Sequence, residues 1–258
     1  MSEISIPAGC DAIATDKLTL GRATDASPQS PLGLALFDLD HTLIPFDSDY
    51  RWGEFTTSLG WTDEDDFKLK NQVFYEHYKA GTLDIRAYVR FATAAVRRHG
   101  REAAQLAHQQ FMRDIVMPEI RPEALDLVRQ HQSRGDIALI ITATNEFVTR
   151  PIARAFGVSD LLAIELETDR SLGGSGWYTG EICGVPSFQQ GKVARLESWM
   201  AHHGLDWSNV YATFYSDSMN DLPLLEKVQV PVATNPDDRL RAIAQARGWR
   251  ILELFATR

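Results

Sequence analysis

At 258 residues and 28.9 kDa the chain has room for one large domain, or for a core with a smaller companion. Its 26 Lys and Arg against 35 Asp and Glu leave a net charge of −9, which excludes the basic field that non-specific nucleic-acid or anionic-membrane binding requires. Hydrophobic content of 44% with 24% charged residues is globular composition, and no apolar run approaches the roughly 18 residues that span a bilayer. No basic start followed by an apolar stretch marks a signal peptide. Cys10 and Cys183, far apart and without a CxxC, read as buried or idle thiols in a reduced cytoplasm, with no zinc pattern.

Residues 1–31 mix small polar residues with three prolines and show no sustained periodicity, so a flexible N-terminal tail is expected there. Leu34 to Phe37 is a short apolar run that stops at Asp38-Leu39-Asp40, as in a buried strand delivering polar residues at its C-terminal end. From Asp47 to about Glu119 the periodicity is helical. Ile85, Tyr88, Val89, Ala92, Ala95 and Val96 predict one helix, capped by Thr82 or Asp84 and closed just before Gly100. Weaker stripes over 51–60, 63–79 and 102–116 complete an expected antiparallel bundle.

Strand and helix then alternate. A helix over 122–134 leads to a strand at 137–141 and to a second helix ending at Phe156-Gly157, with a break expected at Pro151. Segments 161–167 and 177–182 predict an antiparallel pair around a glycine turn. A helix from Gln190 to His203, a strand at 210–215, a helix near 220–227, a strand at 230–233, a helix at 237–247 and a last strand near Ile251 follow. This order implies an α/β fold, a doubly wound parallel Rossmann-like sheet, with an inserted helical-bundle cap. The expected division is a tail at 1–31, a core of 32–46 plus 120–258, and a cap at 47–119.

In such a sheet ligands bind outside the C-terminal strand ends, and the polar signals gather there. They are Asp38-Leu-Asp40-His-Thr42, then Thr142 after the second strand, Lys192 opening a helix, and Asp217-Ser-Met-Asn220-Asp221. Two aspartate pairs at one sheet edge repel unless a cation neutralises them, and an all-oxygen site suits Mg²⁺. Each Asp taken alone also reads as a turn former or helix cap.

The four ordered motifs resemble those of the haloacid dehalogenase-like superfamily, and the helical insert resembles that of its phosphoserine-phosphatase-like branch. The likeness runs from residue 34 to about 240. It implies a phosphomonoester hydrolase acting on a small phosphorylated metabolite, with Asp38 as nucleophile and Asp40 as general acid and base. It implies Mg²⁺ held by Asp38, the Asp40 carbonyl and Asp217. Thr142 and Lys192 would bind the phosphoryl group, Asp221 would support the metal's waters and Lys192, and Asn220 would face the substrate. Asp47 falls where relatives hold a substrate amine, and Arg90 where they grip a carboxylate. The residues themselves leave a helix cap open for Asp47 and a solvated helix face for Arg90. If both contact substrate, it is a phosphorylated amino acid or amino alcohol, of phosphoserine or histidinol phosphate type. Ser216 and Thr144 depart from the family pattern, and His41 reads as a turn residue. Phe46, Tyr50, Trp52, Phe55, Tyr75 and Tyr88 are candidates for either pocket or core. Rival readings are a receiver-type phospho-acceptor, a metal-independent dehalogenase and a non-catalytic binding protein. Oligomeric state is not legible.

Overall fold

The computed structural model describes residues 31–255, so the expected N-terminal tail lies, apart from Pro31, outside the described residues. Strand β1 (Leu32–Phe37) is followed by α1 (Ser48–Ser58), α2 (Glu64–Ala80), α3 (Ile85–Ala92), α4 (Ala94–Phe111), a π turn at Met112–Val116 and the short α5 (Met117–Glu119). Then come α6 (Pro122–Ser133), β2 (Ile137–Asn145), α7 (Glu146–Ala155), β3 (Asp160–Ile164), β4 (Leu166–Thr168) and β5 (Tyr178–Ile182). The chain closes with α8 (Gln190–His202), β6 (Val210–Ser216), a 3₁₀ turn at Met219–Asp221, α9 (Leu222–Leu225), β7 (Val230–Thr234), α10 (Asp238–Arg247) and β8 (Arg250–Leu252).

Six strands form one parallel sheet in the order β3-β2-β1-β6-β7-β8. The chain starts in the middle and winds outward in both directions, so the crevice between β1 and β6 is the topological switch point. Alternation along β1 explains the two covered faces. Ala35 and Phe37 join one apolar cluster with Val128, Val148 and Ile152 of α6 and α7, while Leu34 and Leu36 join another with Val193, Leu196 and Leu240 of α8 and α10.

The helices inserted after β1 are fused to the first cluster through Trp52, which is 2% exposed. Its ring meets those of Phe55, Trp61, His108, Phe111 and Phe147 at centroid distances of 5.3–6.5 Å. It thus joins α1 and α4 to α7.

Four expectations are corrected. The helix predicted from Asp84 to Gly100 is divided at Thr93, whose hydroxyl bonds the Val89 carbonyl; at Gly100, as expected, the backbone leaves the helical region (φ 80°, ψ 174°) and kinks α4 before it runs on to Phe111. Pro151 lies inside an unbroken α7, because burial of Val148, Thr149, Ile152 and Ala153 on the packed side outweighs the roughly 3 kcal/mol that an interior proline costs. The strand predicted at 161–167 is two strands. Its first part pairs with β2 in the parallel sheet, and only β4 makes the antiparallel pair with β5. Finally, Cys183 is buried and in disulfide form rather than an idle thiol; Cys10 lies outside the described residues.

His108 illustrates how the insert is tied down. It is 5% exposed, its Nε2 donates to the Val148 carbonyl at 3.1 Å, and burial pushes its pKa below the ordinary value of 6.5. The unfolded chain therefore binds a proton that the folded chain refuses, and the stabilisation is present above pH 6.5 and lost as pH falls below it. Thermal unfolding of the wild type should fall more steeply between pH 7 and 5 than that of His108→Gln, and parallel profiles would show that His108 does not titrate on unfolding.

Candidate active site

The parallel register sets the site. Phe37 lies opposite both Ile140 of β2 and Tyr215 of β6, and the Asp38 amide donates to the Tyr215 carbonyl at 2.9 Å. Asp38, Thr142 and Asp217 therefore leave three adjacent strands at one level. Lys192, in the first turn of α8, reaches the same point. A Cβ on the preceding Gly191 would stand 2.0 Å from the Pro186 carbonyl oxygen, so only glycine lets α8 start close enough to deliver it.

Lys192 is 2% exposed, and its Nζ donates to Asp38 Oδ1 at 2.9 Å and to Asp221 Oδ2 at 2.7 Å. Burial alone would lower its pKa, but Asp221 and Asp38 reverse the balance and raise it, so the ammonium is held charged. Burial, partly countered by Lys192 and reinforced by Asp221 and Asp40, pushes Asp38 up to about 7. Burial and then the Asp38 and Asp221 charges hold Asp217 well above the carboxylate range. Asp40 is oriented at both oxygens: Oδ1 accepts the Ser48 amide at 2.8 Å, and Oδ2 accepts the Thr144 hydroxyl at 2.7 Å. The Thr142 hydroxyl accepts from the Thr144 amide at 3.2 Å, which leaves its own proton for the cavity.

These groups line a cavity of about 220 Å³ whose opposite wall comes from α2 and α3, including Phe74, Tyr75, Tyr78 and Tyr88. Asp38, Asp40, Thr142, Lys192, Asp217, Asn220, Asp221 and Asp47 all reach it. Asp47 also caps α1 by accepting the Tyr50 amide at 2.8 Å, the alternative its sequence position left open; burial, then Asp40, pushes its pKa up to about 6.

Arg90 is not brought to the cavity. It makes a two-pronged pair with Glu181 of β5 at 2.6 and 2.9 Å on the exposed side of α3, because buried Val89 packs on Ile164, Leu166 and Ile182 and turns its neighbour toward the hairpin. Asn220 lies at the cavity edge, but its amide is engaged: Oδ1 accepts from Gln189 at 3.1 Å and Nδ2 donates to the Tyr78 carbonyl at 3.3 Å. It fastens α2 to the sheet edge. Of the aromatic candidates, Tyr75 and Tyr88 line the cavity, whereas Trp52, Phe55 and Phe46 belong to the core.

Ser216 does more than shape a turn, since its hydroxyl donates to Asp221 Oδ2 at 2.8 Å. Thr144 was visible only as a departure from the family pattern, and Asp49 and Tyr78 were not legible as site residues. Tyr78 donates to Ser218 Oγ at 3.1 Å across 140 residues, and only the α2 stripe hinted at it. Gln189, at φ 48°, is strained just before α8 while its amide bonds Asn220 and the Gly81 carbonyl.

Among the described residues no group of three or more His, Cys, Asp or Glu side chains is placed to hold a metal. Two carboxylates with a backbone carbonyl and solvent would still serve a hard cation. The charge balance favours one, because neighbouring carboxylates add to burial in pushing up Asp38, next to Asp221 and Asp40, and Asp217, next to Asp38 and Asp221. The residues fit a divalent, oxygen-seeking ion.

Residues 35–226 match the haloacid dehalogenase-like hydrolase family. The chain belongs to that family. It is 41% identical over 220 residues to a histidinol-phosphatase of Neisseria meningitidis, covering 85% of this chain and 97% of the relative. It is 30% identical over 244 residues to a phosphoserine phosphatase of Mycobacterium tuberculosis, covering 92% and 76%. A protein of unknown function from Bordetella pertussis has a solved structure with a TM-score of 0.81 at 44% identity, covering 88% of this chain and all of that one. A substrate-bound phosphoserine phosphatase shares the fold, with a TM-score of 0.59 at 15% identity over 88% and 94% of the two chains.

The buried ion network generates a stability test. Lys192→Met should destabilise this hydrolase by about 3–5 kcal/mol in urea unfolding, because it strands two buried carboxylates. Adding Asp221→Asn should recover part of the loss, and strictly additive losses would show that the two groups do not interact.

Proposed function

We propose that this hydrolase cleaves small phosphate monoesters whose alcohol carries a cationic amine or imidazole and no carboxylate, an amino-alcohol phosphate of the histidinol phosphate type. The observation that carries this reading is the lining of the cavity around Asp38. Asp47 offers a carboxylate there, among aromatic rings, while the one arginine expected to grip a substrate carboxylate is bound to Glu181 outside. Lys79, which also lines the cavity, lies over the Tyr75 ring and against Glu76. The relative of 41% identity is named for the same chemistry.

In the proposed reaction an Asp38 oxygen attacks phosphorus in line as the bond from phosphorus to the alcohol oxygen breaks. Asp40 gives that oxygen its proton, and Lys192 and the Thr142 hydroxyl hold the phosphoryl oxygens. Asp40 then takes a proton from water, the water oxygen attacks phosphorus, and inorganic phosphate leaves with Asp38 restored. The Thr144 hydroxyl can donate to Asp40 or accept from it, so it serves both protonation states. Mg²⁺ held by Asp38, the Asp40 carbonyl and Asp217 would supply charge neutralisation for nucleophile and phosphate alike. The inserted helices, residues 47–119, act as the cap that excludes bulk water. Phosphorylated metabolites of this kind are cytoplasmic, which is where we place the enzyme; among the described residues no helix is long and apolar enough to cross a membrane.

Asp38→Asn should abolish turnover of p-nitrophenyl phosphate while leaving the fold intact by circular dichroism, and EDTA should abolish wild-type turnover reversibly. Near-normal rates in either case would mean the nucleophile or the metal is misassigned. In a screen of phosphorylated metabolites, histidinol phosphate should outrank phosphoserine, and Asp47→Ala should narrow the gap by about tenfold. A ranking led by phosphoserine would overturn the substrate reading.

A further inference from the structure

Asn235 follows β7 and lies in the left-handed region at φ 45°, where asparagine is one of the few residues with a side chain that is found. Its side-chain amide links two distant segments. Oδ1 accepts the Leu254 amide at 2.6 Å and the Phe255 amide at 3.1 Å, just beyond β8, and Nδ2 donates to the His41 carbonyl at 2.9 Å. These partners allow one orientation only, since two N–H donors require the oxygen and a carbonyl requires the NH₂. Two residues on, the Asp237 amide donates to the Asp217 carbonyl at 3.0 Å. One short segment is thus fastened to the loop after β1 and to the loop after β6.

His41 is the residue that gains from this support. It too is left-handed, at φ 55°, in a tight turn where the Thr42, Leu43 and Ile44 amides all converge on the Leu39 carbonyl. Its own amide donates to the Phe46 carbonyl at 3.3 Å, so with Asn235 on its carbonyl both backbone groups of His41 are engaged. The Asp40 carbonyl and the His41 N–H belong to one planar trans peptide unit and point in opposite directions. Holding His41 therefore fixes where the Asp40 carbonyl points. The next residue, Thr42, donates its hydroxyl to Asp217 Oδ1 at 3.4 Å, so the same turn also reaches the carboxylate after β6.

We propose that Asn235 is a positioning residue for the cation site: by holding the His41 carbonyl it fixes the Asp40–His41 peptide, and with it the carbonyl that the proposed Mg²⁺ would use. This rests on the metal reading above and names a residue outside the four motifs on which cation affinity depends. Asn235 acts through that peptide and not as a ligand, because its own oxygen is taken by two amides. Removing a group that orients a metal ligand costs roughly 10–100-fold in affinity. The bond from Asn235 to His41 is exposed to solvent, which places the effect at the low end.

Two substitutions separate the contacts. Asn235→Asp keeps an oxygen for the Leu254 and Phe255 amides and tolerates the left-handed backbone, but its carboxylate has no N–H for His41. It also adds a negative charge, which by itself would tighten a cation, so weaker binding in this variant comes from lost geometry. Asn235→Gly removes both contacts and leaves the backbone free to adopt the same φ. For wild type and both variants, the Mg²⁺ concentration that gives half of the full rise in melting temperature should be measured without substrate, beside the concentration that gives half-maximal hydrolysis of p-nitrophenyl phosphate. Both concentrations should rise about tenfold in each variant, with the loss expressed in the Mg²⁺ requirement rather than in kcat at saturating Mg²⁺. A weakening confined to Asn235→Gly would assign Asn235 to the C-terminal segment and overturn the proposal. So would a weakening confined to Asn235→Asp, or an unchanged Mg²⁺ requirement in both variants, whatever happens to kcat. A wild type whose melting temperature does not respond to Mg²⁺ would overturn the metal reading and this proposal together.

Discussion

A single buried ammonium holds the site together. Lys192 lies between Asp38 and Asp221 at 2.9 and 2.7 Å with almost no solvent contact, and those carboxylates come from either side of the switch point of the sheet. Without that charge, the strand ends of β1 and β6 would carry mutually repelling groups in a region of low dielectric. Two local features serve this contact. Gly191 allows α8 to begin against the Pro186 carbonyl, and Ser216 holds the second oxygen-bearing partner, Asp221, in place. The excess of carboxylates over this one ammonium is the charge imbalance that the proposed divalent ion would offset.

The inserted helices are attached in two different ways, and the difference matters for access to the site. Trp52 and His108 anchor α1 and α4 to α7 through a dry aromatic cluster. The C-terminal end of α2 is attached to the sheet edge by one ring contact, Tyr78 on Phe188, and by polar contacts: Asn220 to the Tyr78 carbonyl, Tyr78 to Ser218, Arg239 to the Lys79 carbonyl and Gln189 to the Gly81 carbonyl. Polar contacts exchange readily with water, so this end of the insert is the side on which the cavity can open at least cost.

Much of this was legible before any coordinates. Abrupt transitions from apolar runs to Asp or Thr identified Asp38, Asp40, Thr142 and Asp217 as strand-end residues, because a buried parallel strand tolerates such groups only at its C-terminal tip. Lys192 and Asp221 were legible from motif spacing. Thr144 and Ser216 were visible as departures from the family pattern, but their hydrogen bonds to Asp40 and Asp221 depend on side-chain directions that no spacing encodes. Arg90 shows the reverse failure. Position along α3 was right, and rotation about its axis was wrong, since that rotation is set by Val89 packing on residues more than seventy positions away.

The sequence by itself determined the strand and helix alternation, the family and which polar residues stand at the strand ends, because these follow from local periodicity and from short ordered motifs. Tertiary structure alone decided which insert residues face the cavity. Tyr78, Tyr88 and Asp47 were turned inward, Arg90 was turned to Glu181, and Asp49 was joined to Asn145 at the end of β2. A helix presents every direction around its axis, and only packing against distant elements chooses one of them.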